Sequence, residues 1–280
     1  MCFGVRDAIA LARRENAGGP LTILGDLVHN ERVLAGLRTE GIEIRQAAAE
    51  VQTPRVMITA HGASEKRILD ARRRGLNVIE ATCPLVRVAH DAVRELVADG
   101  FHPIVIGRRD HVEVRGLTED LAAFDVVMDE ADIAQLRPQP RFGVVAQTTQ
   151  PVDRVRRLVS HLRVRFPNAV IRFIDTVCRP TKQRQTAAVE LAKRCDVVVV
   201  IGGADSNNTR ELAATCERHC TRVHHVQSAG ELRAEWFWDA ETVGVTAGTS
   251  TPEDSIDEIE ETIRSMTALN HPEKCGKNEL

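Results

Sequence analysis

Three widely spaced cysteines point most directly to chemistry. Cys2, Cys83 and Cys178 lie 81 and 95 residues apart, and each precedes a stretch predicted to be helical. The N-terminus of a helix favours a thiolate, the form of cysteine that binds soft metals and iron–sulfur clusters. Each cysteine alone could equally be a buried thiol. Three in equivalent positions predict the ligands of one iron–sulfur cluster, and three ligands without a fourth predict one iron left open to a substrate oxygen.

The other four cysteines lack this placement. Cys195 is predicted to start a buried strand, and Cys216 and Cys220 lie at the end of a helical run with His219 between them. A metal site there would lack a matching second pair of ligands. Buried thiols are therefore the preferred interpretation, and the same holds for Cys275 near the end of the chain.

Three histidines each follow a predicted strand: His29, His61 and His111. Imidazoles can donate hydrogen bonds to phosphate oxygens, so the three together predict an anion pocket. A single histidine in a loop is more often an ordinary surface or capping residue. The histidines that lack this context are interpreted as structural or surface residues: His90, His102, His161, His219, His224, His225 and His271.

Two polar turns at predicted helix starts also suit an anion. Gly202–Thr209 follows an apolar run, and backbone N–H groups at a helix N-terminus attract negative charge. Its polar donors include Ser206, Asn207 and Asn208. A second turn ends in Ser250, shortly before Pro252. Neither turn is a Walker A loop or a dinucleotide fingerprint, and ordinary helix capping is the alternative interpretation.

Glu113 is the predicted proton donor. It lies two residues after His111, which would place both side chains on one face of an extended segment. A carboxyl group in a closed site can deliver protons near neutral pH, whereas the alternative is a surface carboxylate. Thr148 and Thr149 either orient a substrate hydroxyl or cap the helix predicted from Val152.

The elements that must position these residues alternate between short β-branched runs and amphipathic stretches. This alternation predicts parallel, doubly wound α/β sheets. The predicted strands are Leu21–Gly25, Val56–Ala60, Asn77–Glu80, Pro103–Ile106, Phe124–Met128, Phe142–Ala146, Val170–Ile174, Asp196–Ile201, Arg222–Val226 and Val243–Thr246. The predicted helices include Val86–Ala98, Val152–Arg165, Ala187–Lys193 and Arg210–Arg218.

The cysteine spacing predicts an internal repeat of three similar α/β units with three or four strands each. The expected units are residues 1–82, 83–177 and 178–265, followed by a polar tail at 266–280. The polar motifs all follow strands directly, and open α/β sheets bind ligands beyond the carboxyl ends of their strands. Three sheets whose carboxyl ends face one centre would bring these motifs together.

Bulk composition narrows the class of partner. The chain has 280 residues, a net charge of −3 and a pI near 6.4, so it lacks the basic excess that nucleic-acid or membrane-surface binding usually needs. The sequence shows neither an apolar run that could span a bilayer nor a signal peptide. The seven cysteines are odd in number and far apart, so thiols in a cytoplasmic protein are expected.

Together these motifs resemble a known family, the 4-hydroxy-3-methylbut-2-enyl diphosphate reductases, also called LytB or IspH. The matching segments occur in the family's order over nearly the whole chain. They are Cys2–Val5, Val28–Asn30, Ala60–Gly62, Ala81–Val86, His111–Val114, Gln147–Thr149, Asp175–Cys178, Arg184–Gln185, Ser206–Asn208 and Gly244–Gly248 with Ser250.

The resemblance implies a trefoil of three α/β units around a central 4Fe–4S cluster held by the three cysteines. The open iron would bind the allylic hydroxyl of a small diphosphate substrate. Two electrons from ferredoxin or flavodoxin, together with protons, would remove that hydroxyl and give isopentenyl and dimethylallyl diphosphates, the last step of the non-mevalonate isoprenoid pathway. Glu113 would supply the proton. The implied substrate-binding residues are His29, His61, His111, Thr148, Ser206, Asn207, Asn208 and Ser250.

The sequence departs from the usual family pattern in four places. It begins one residue before Cys2, where members usually have a further strand, so the first unit is expected to lack that strand. Val112 stands where proline is usual, Pro180 where alanine is usual, and Arg115 where an acidic residue is usual. The alternatives are a divergent iron–sulfur paralogue that binds or senses an anionic ligand, and an anion-binding α/β module whose cysteines belong to the core.

Overall fold

Residues 1–270 are described by the computed structural model, and the chain divides into two compact units. The larger unit comprises Cys2–Val28 and Arg32–Lys182. The smaller unit comprises Met1, His29–Glu31 and the chain from Gln183 onward. Each unit is built from parallel strands that alternate with helices.

Two groups of elements form the larger unit. The first group is α1 (Phe3–Ala17), β1 (Leu21–Leu24), α2 (Glu31–Thr39), β2 (Glu43–Arg45), β3 (Arg55–Ile58), α3 (Glu65–Arg73) and β4 (Asn77–Glu80). The second group is α4 (Pro84–Ala98), β5 (His102–Ile106), α5 (Val112–Thr118), β6 (Asp125–Val127), α6 (Glu130–Gln135), β7 (Arg141–Ala146), α7 (Val152–Arg165) and β8 (Val170–Phe173).

The remaining elements belong mainly to the smaller unit. They are α8 (Arg179–Ala192), β9 (Val197–Ile201), α9 (Asn207–Glu217), β10 (Val223–Val226), β11 (Val243–Ala247) and α10 (Glu253–Asn270). The start of α8 lies in the larger unit and the rest of the helix in the smaller one. Short 3₁₀ turns occupy Ala48–Glu50, Ala229–Glu231 and Ala234–Phe237.

Over residues 1–270 the strands form three sheets, and all their pairings are parallel. The strand orders are β2-β1-β3-β4, β6-β5-β7-β8 and β10-β9-β11. The first two sheets therefore share one connectivity, and the third repeats it without a fourth strand. The predicted α/β class is confirmed, and so are three similar parallel sheets with three or four strands each.

Burial on both faces explains why the central strands are continuously apolar. In β5, Ile104 and Ile106 pack in one core cluster with Leu158 of α7. Val105, which lies between them, points to the opposite face and packs with Leu96 of α4. This is the pattern of a parallel sheet covered by helices on both sides. The sheets thus form rigid supports whose carboxyl ends carry the polar loops.

The structure differs from the predicted elements in three places. The edge strand β2 was not predicted, because Glu43–Arg45 is short, half-exposed and largely charged. The helix expected over Ala187–Lys193 begins already at Arg179. Helix α10 continues to Asn270, so residues 266–270 are helical and not part of a tail. The rest of the predicted tail, with His271 and Cys275, lies outside the described residues.

No helix within residues 1–270 is both long enough and apolar enough to cross a membrane.

Candidate functional site

The three selected cysteines occupy equivalent positions in the larger unit. Cys2 and Cys83 are the N-cap residues of α1 and α4, and Cys178 directly precedes α8. None of these three helices has an acidic residue in its first turn. No carboxylate in the first turn of these helices therefore opposes the effect of the positive helix end on the thiol.

The backbone holds two of these cysteines in the same way. The N–H of Cys83 donates to the carbonyl of Ala60 at 3.0 Å, and the N–H of Cys178 donates to the carbonyl of Thr148 at 3.0 Å. Ala60 and Thr148 each lie two residues beyond the third strand of their sheet, β3 and β7 respectively. The two sheets thus deliver their cysteines by the same connection.

Cys2 lies close enough to the other two cysteines to affect the pKa values of their thiols. The charge of Cys2 contributes to raising the pKa values of both the Cys83 and the Cys178 thiols, and so does that of Glu113. Burial is the largest cause of both increases, and it outweighs the lowering by N–H groups at the two helix starts. The N–H groups at the helix starts thus favour the thiolates of Cys83 and Cys178, as predicted, but burial decides the direction of both pKa shifts. A bound metal would be needed to deprotonate them at neutral pH.

Glu113 is a buried carboxyl group beside this cysteine cluster, and only 1% of it is exposed. Its Oε1 accepts a hydrogen bond from the backbone N–H of Thr148 at 2.6 Å, and its Oε2 accepts one from Thr148 Oγ1 at 3.1 Å. Burial raises the pKa of Glu113 to about 7, although the two hydrogen bonds from Thr148 act in the opposite direction. The group can therefore hold a proton near neutral pH.

Thr148 links the carboxyl group to a cysteine. Its amide N–H and hydroxyl contact Glu113, while its carbonyl accepts from Cys178. The alternative in which Thr148 caps the following helix does not fit, because its hydroxyl donates to Glu113 and the N-cap residue of α7 is Pro151. Thr148 is thus committed to the site and not to the helix.

His111 and Glu113 do not lie on an extended segment, so that expectation is wrong. His111 is the N-cap residue of α5, and its Nδ1 accepts from the backbone N–H of Glu113 at 3.1 Å. The helix begins at Val112 because this imidazole satisfies one of its first free N–H groups. The cap still keeps His111 next to the carboxyl-bearing residue.

His61 meets His111 edge to face, with ring centroids 5.6 Å apart. Two sets of hydrogen bonds join the segment after His61 to the C-terminal end of α5. Ser64 donates to Glu119 at 2.7 Å, and Asp120 accepts from the backbone N–H groups that open α3. The imidazole of His90 fills the space between the two backbones: a Cβ added at Gly62 or Gly116 would meet its Nε2 at 3.1 or 3.6 Å.

The smaller unit contains the second predicted set of residues. Ser206 is the N-cap residue of α9 and accepts from the N–H of Thr209 at 3.3 Å. The Oδ1 atom of Asn208 accepts from the N–H of Thr249 at 2.9 Å, which joins the start of α9 to the loop after β11. Ser250 donates to the carbonyl of His29 at 3.4 Å. The bonds of Asn208 and Ser250 therefore link the start of α9, the loop after β11 and His29. Ser206 and Asn207 lie at the same helix start.

Glycines permit the close approach of these loops. A Cβ at Gly203 would lie 2.5 Å from the carbonyl oxygen of His29, and one at Gly248 would lie 2.1 Å from Thr209 Oγ1. Gly202 also has φ of +154°, a conformation that L side chains rarely adopt. The glycine-rich sequence is thus needed for packing here as well as for turning.

Cys216 and Cys220 of the smaller unit are buried thiols, as the sequence predicted. Cys216 donates to the carbonyl of Ala188, and Cys220 lies within 3.5 Å of the carbonyls of Cys195 and Asp196. Burial raises the pKa of Cys216 to about 11. These thiols are core residues, although Cys195 lies two residues before β9 and does not start it.

The structure thus divides the predicted residues between the units. The larger unit brings together Cys2, Cys83, Cys178, Glu113, Thr148, His61 and His111, and their roles remain predictions. Thr181 was not among the predicted site residues, although it is fully buried and its hydroxyl contacts the Cys178 sulfur at 3.1 Å. Its only signal was its place three residues after a predicted ligand.

Comparison with known proteins gives one consistent family. The model of the family described as "LytB protein" matches residues 1–264. A protein of Geobacter sulfurreducens is 37% identical over 268 residues, which cover 95% of this chain and 94% of the relative. One from Neisseria meningitidis is 37% identical over 270 residues, covering 94% and 84%. Both relatives are named 4-hydroxy-3-methylbut-2-enyl diphosphate reductase.

Two solved structures share the fold. A diphosphate reductase from Plasmodium falciparum superposes with a TM-score of 0.88 at 26% identity, covering 93% of this chain and 84% of that one. A second structure superposes with a TM-score of 0.66 at 31% identity, covering 95% and 96%. It is described as (E)-4-hydroxy-3-methyl-but-2-enyl diphosphate reductase, the terminal enzyme of the non-mevalonate pathway.

Proposed function

Because the chain belongs to the LytB family, we propose that it reduces (E)-4-hydroxy-3-methylbut-2-enyl diphosphate to isopentenyl and dimethylallyl diphosphates. This is the reductive removal of an allylic hydroxyl, and it would complete the non-mevalonate isoprenoid pathway. One connection carries the proposal: Thr148 bonds to Glu113 through its N–H and hydroxyl, and to Cys178 through its carbonyl. Thr148 thereby connects the proposed proton donor, Glu113, to a predicted cluster ligand, Cys178.

We propose that Cys2, Cys83 and Cys178 hold a 4Fe–4S cluster with one open iron. Three thiols at three helix starts suit it, since thiolates are the usual ligands of such clusters. Within residues 1–270 no three His, Cys, Asp or Glu side chains could hold a single metal ion. When bound, the cluster would supply electrons and a Lewis-acidic iron for the substrate's hydroxyl.

Glu113 is the proposed proton donor to the departing hydroxyl. Its buried position and its pKa of about 7 let it carry a proton at neutral pH, and Thr148 orients both carboxyl oxygens. His111 holds the first turn of α5, and with it the backbone of Glu113. After the proton has been transferred, the two hydrogen bonds from Thr148 would stabilise the carboxylate of Glu113.

The polar group around the start of α9 is the proposed support for the substrate's diphosphate. Backbone N–H groups at the helix start attract anions, and Ser206 and Ser250 add hydroxyl donors. The amide oxygen of Asn208 is already used by Thr249, so its NH₂ group is the end that can donate. His29 and Asn207 complete this set. His61 and His111, in the larger unit, are further proposed substrate-binding residues. None of these residues is a lysine or an arginine.

The proposed partners follow from the redox chemistry. A low-potential one-electron donor of the ferredoxin or flavodoxin type would supply the two electrons in turn. We place the reaction in the cytoplasm, where unpaired thiols persist in the reduced form. The net charge of −3 gives no reason to add a nucleic-acid partner.

Anaerobic reconstitution tests this function. The full chain is loaded with iron and sulfide, reduced with a low-potential viologen and given the allylic diphosphate. We expect a brown protein with about four irons per chain and both isopentenyl and dimethylallyl diphosphates as products. A chain that binds the cluster but leaves the substrate unchanged would instead favour an iron–sulfur protein that only binds or senses an anion. A chain without stoichiometric iron would contradict the cluster itself.

A further inference from the structure

The three predicted cluster ligands begin their helices with the same backbone geometry. The carbonyl of Cys2 accepts from the N–H of Arg6 at 3.1 Å. The carbonyl of Cys83 accepts from Arg87 at 3.0 Å, and that of Cys178 accepts from Lys182 at 3.1 Å. In each case the acceptor lies four residues before the donor, which is the first hydrogen bond of an α-helix. Side chains at matching positions after the three cysteines can therefore be compared directly.

The residue three positions after the cysteine is valine in two of the three helices and threonine in the third. Val5 and Val86 follow the first two cysteines, whereas Thr181 follows the third. Thr181 is fully buried, and its Oγ1 lies 3.1 Å from the sulfur of Cys178. Valine and threonine have nearly the same shape, so the sequence changes little at this position except the presence of a hydroxyl group.

A metal-bound cysteine sulfur has no proton to give, so in the loaded protein the threonine must be the donor. A hydrogen bond to a ligand sulfur withdraws negative charge from it. Because reduction adds negative charge, such a bond stabilises the reduced form, and hydrogen bonds to sulfur are among the factors that set iron–sulfur potentials.

We propose that Thr181 is a positioning residue that raises the reduction potential of the bound cluster through an O–H to S hydrogen bond to Cys178 alone. The proposal rests on the function proposed above. The hydroxyl contact distinguishes Cys178 from the other two cysteines, which have valine at the matching position. Cys178 is also the cysteine whose backbone N–H bonds to Thr148.

The test measures a potential and not only turnover. The full chain and its variants are reconstituted anaerobically, and the reduced cluster is followed by EPR during a potentiometric titration. Thr181→Val removes the hydroxyl while keeping the shape. We expect the ratio of reduced to oxidised cluster at a fixed potential to fall about tenfold, which is about 59 mV more negative for a one-electron couple.

Two further variants serve as controls. Thr181→Ser keeps the hydroxyl and is expected to retain the parent potential. Thr215→Val removes another buried hydroxyl, which donates to the carbonyl of Glu211 in α9, and it is also expected to leave the potential unchanged. A shift in Thr181→Val with none in the two controls supports the proposal.

Other outcomes decide against it. An unshifted potential in Thr181→Val overturns the proposal, and so does an equal shift in Thr181→Ser or Thr215→Val. If Thr181→Val and Thr181→Ala both lose the cluster while Thr181→Ser keeps it, the hydroxyl holds the ligand in place and does not tune it, which also overturns the proposal. Failure of the proposed function is distinguishable, because it is seen in the parent chain, as a missing cluster or as a loaded cluster without turnover, before any variant is compared.

Discussion

At the scale of single residues, Glu113 combines deep burial with two hydrogen bonds from one neighbour. Glu113→Gln keeps both contacts, because an amide can accept from the Thr148 N–H and donate to its hydroxyl, but it has no acidic proton to transfer. We expect turnover to fall roughly 10²- to 10⁴-fold, the usual contribution of a general acid. Steady-state kinetics on the loaded variant would measure the loss.

Iron content separates this loss from damage to the cluster. Glu113→Gln should retain the iron and the absorbance of the parent chain. Glu95→Gln, the same substitution at an exposed position of α4, should change neither turnover nor iron. Full activity in Glu113→Gln would assign proton delivery to another group.

The raised pKa of Glu113 also predicts how activity depends on pH. The carboxyl group must be protonated to act as an acid, and its pKa is about 7. We therefore expect kcat/KM to fall as the pH rises through about 7, approaching a tenfold loss for each further pH unit. The residual activity of Glu113→Gln should lack this limb, and a flat profile between pH 6 and pH 8.5 in the parent would contradict the assignment.

At the scale of elements, the start of α1 is packed against a predicted cluster ligand. A Cβ added at Gly4 would lie 2.5 Å from the sulfur of Cys83. Gly4→Ala should therefore move either the helix or the thiol, at a cost of about 1–3 kcal/mol for overpacking. That cost exceeds the gain of about 1 kcal/mol that alanine brings inside a helix. Less iron per chain is expected after reconstitution.

Gly36 provides a matched control for this substitution. It lies within α2, and nothing stands within 4 Å of the position its Cβ would take. Gly36→Ala should raise the unfolding free energy by up to about 1 kcal/mol and leave the iron content unchanged. If Gly4→Ala also bound iron normally, the close contact with Cys83 would be unimportant.

The N-terminus of α9 should serve both stability and substrate binding. Ser206→Ala removes a capping hydroxyl, which costs about 1 kcal/mol of stability. If the same hydroxyl also donates to a charged phosphate oxygen, its loss should raise KM roughly 10- to 100-fold. Asp129→Ala removes an equivalent cap from α6 and should lower stability without changing KM. Equal KM values in the two variants would remove Ser206 from the binding group.

Sequence patterns predicted most of these elements but not all of their ends. Buried strands such as β9 are continuous runs of branched residues, so they were found close to their true bounds. The start of α8 was missed because Arg179 and Pro180 begin it without apolar periodicity. That error hid the contact between Thr181 and Cys178, which depends on a helical turn joining them. The contact between His61 and His111 could not be predicted either, because it depends on how two distant segments of the chain pack together.

At the scale of the whole molecule, the buried carboxyl group ties folding to pH. The pKa of Glu113 rises on folding from 4.5 to about 7, so the folded chain binds more protons than the unfolded chain between these values. The contribution of Glu113 to stability is greatest below pH 4.5 and is lost as the pH rises to about 7. The loss is on the order of 3 kcal/mol.

Chemical denaturation of the metal-free chain would detect this dependence. The parent should lose unfolding free energy between pH 5 and pH 8, whereas Glu113→Gln should lose less because it has no charge to bury. Their difference, measured at each pH, removes the contribution of other titrating groups. A difference that does not change with pH would mean that Glu113 is already ionised at pH 5.

The shared connectivity of the two four-stranded sheets has a historical consequence. Each sheet delivers a cysteine after its fourth strand and anchors it to a carbonyl two residues beyond its third. Such a match is what gene duplication would leave behind: two copies of one module, each with a cysteine at the same place. One copy has Ala60 at the anchoring position, and the other has Thr148, the partner of Glu113. On this interpretation the proposed site would have arisen by specialising one half of a symmetric ancestor.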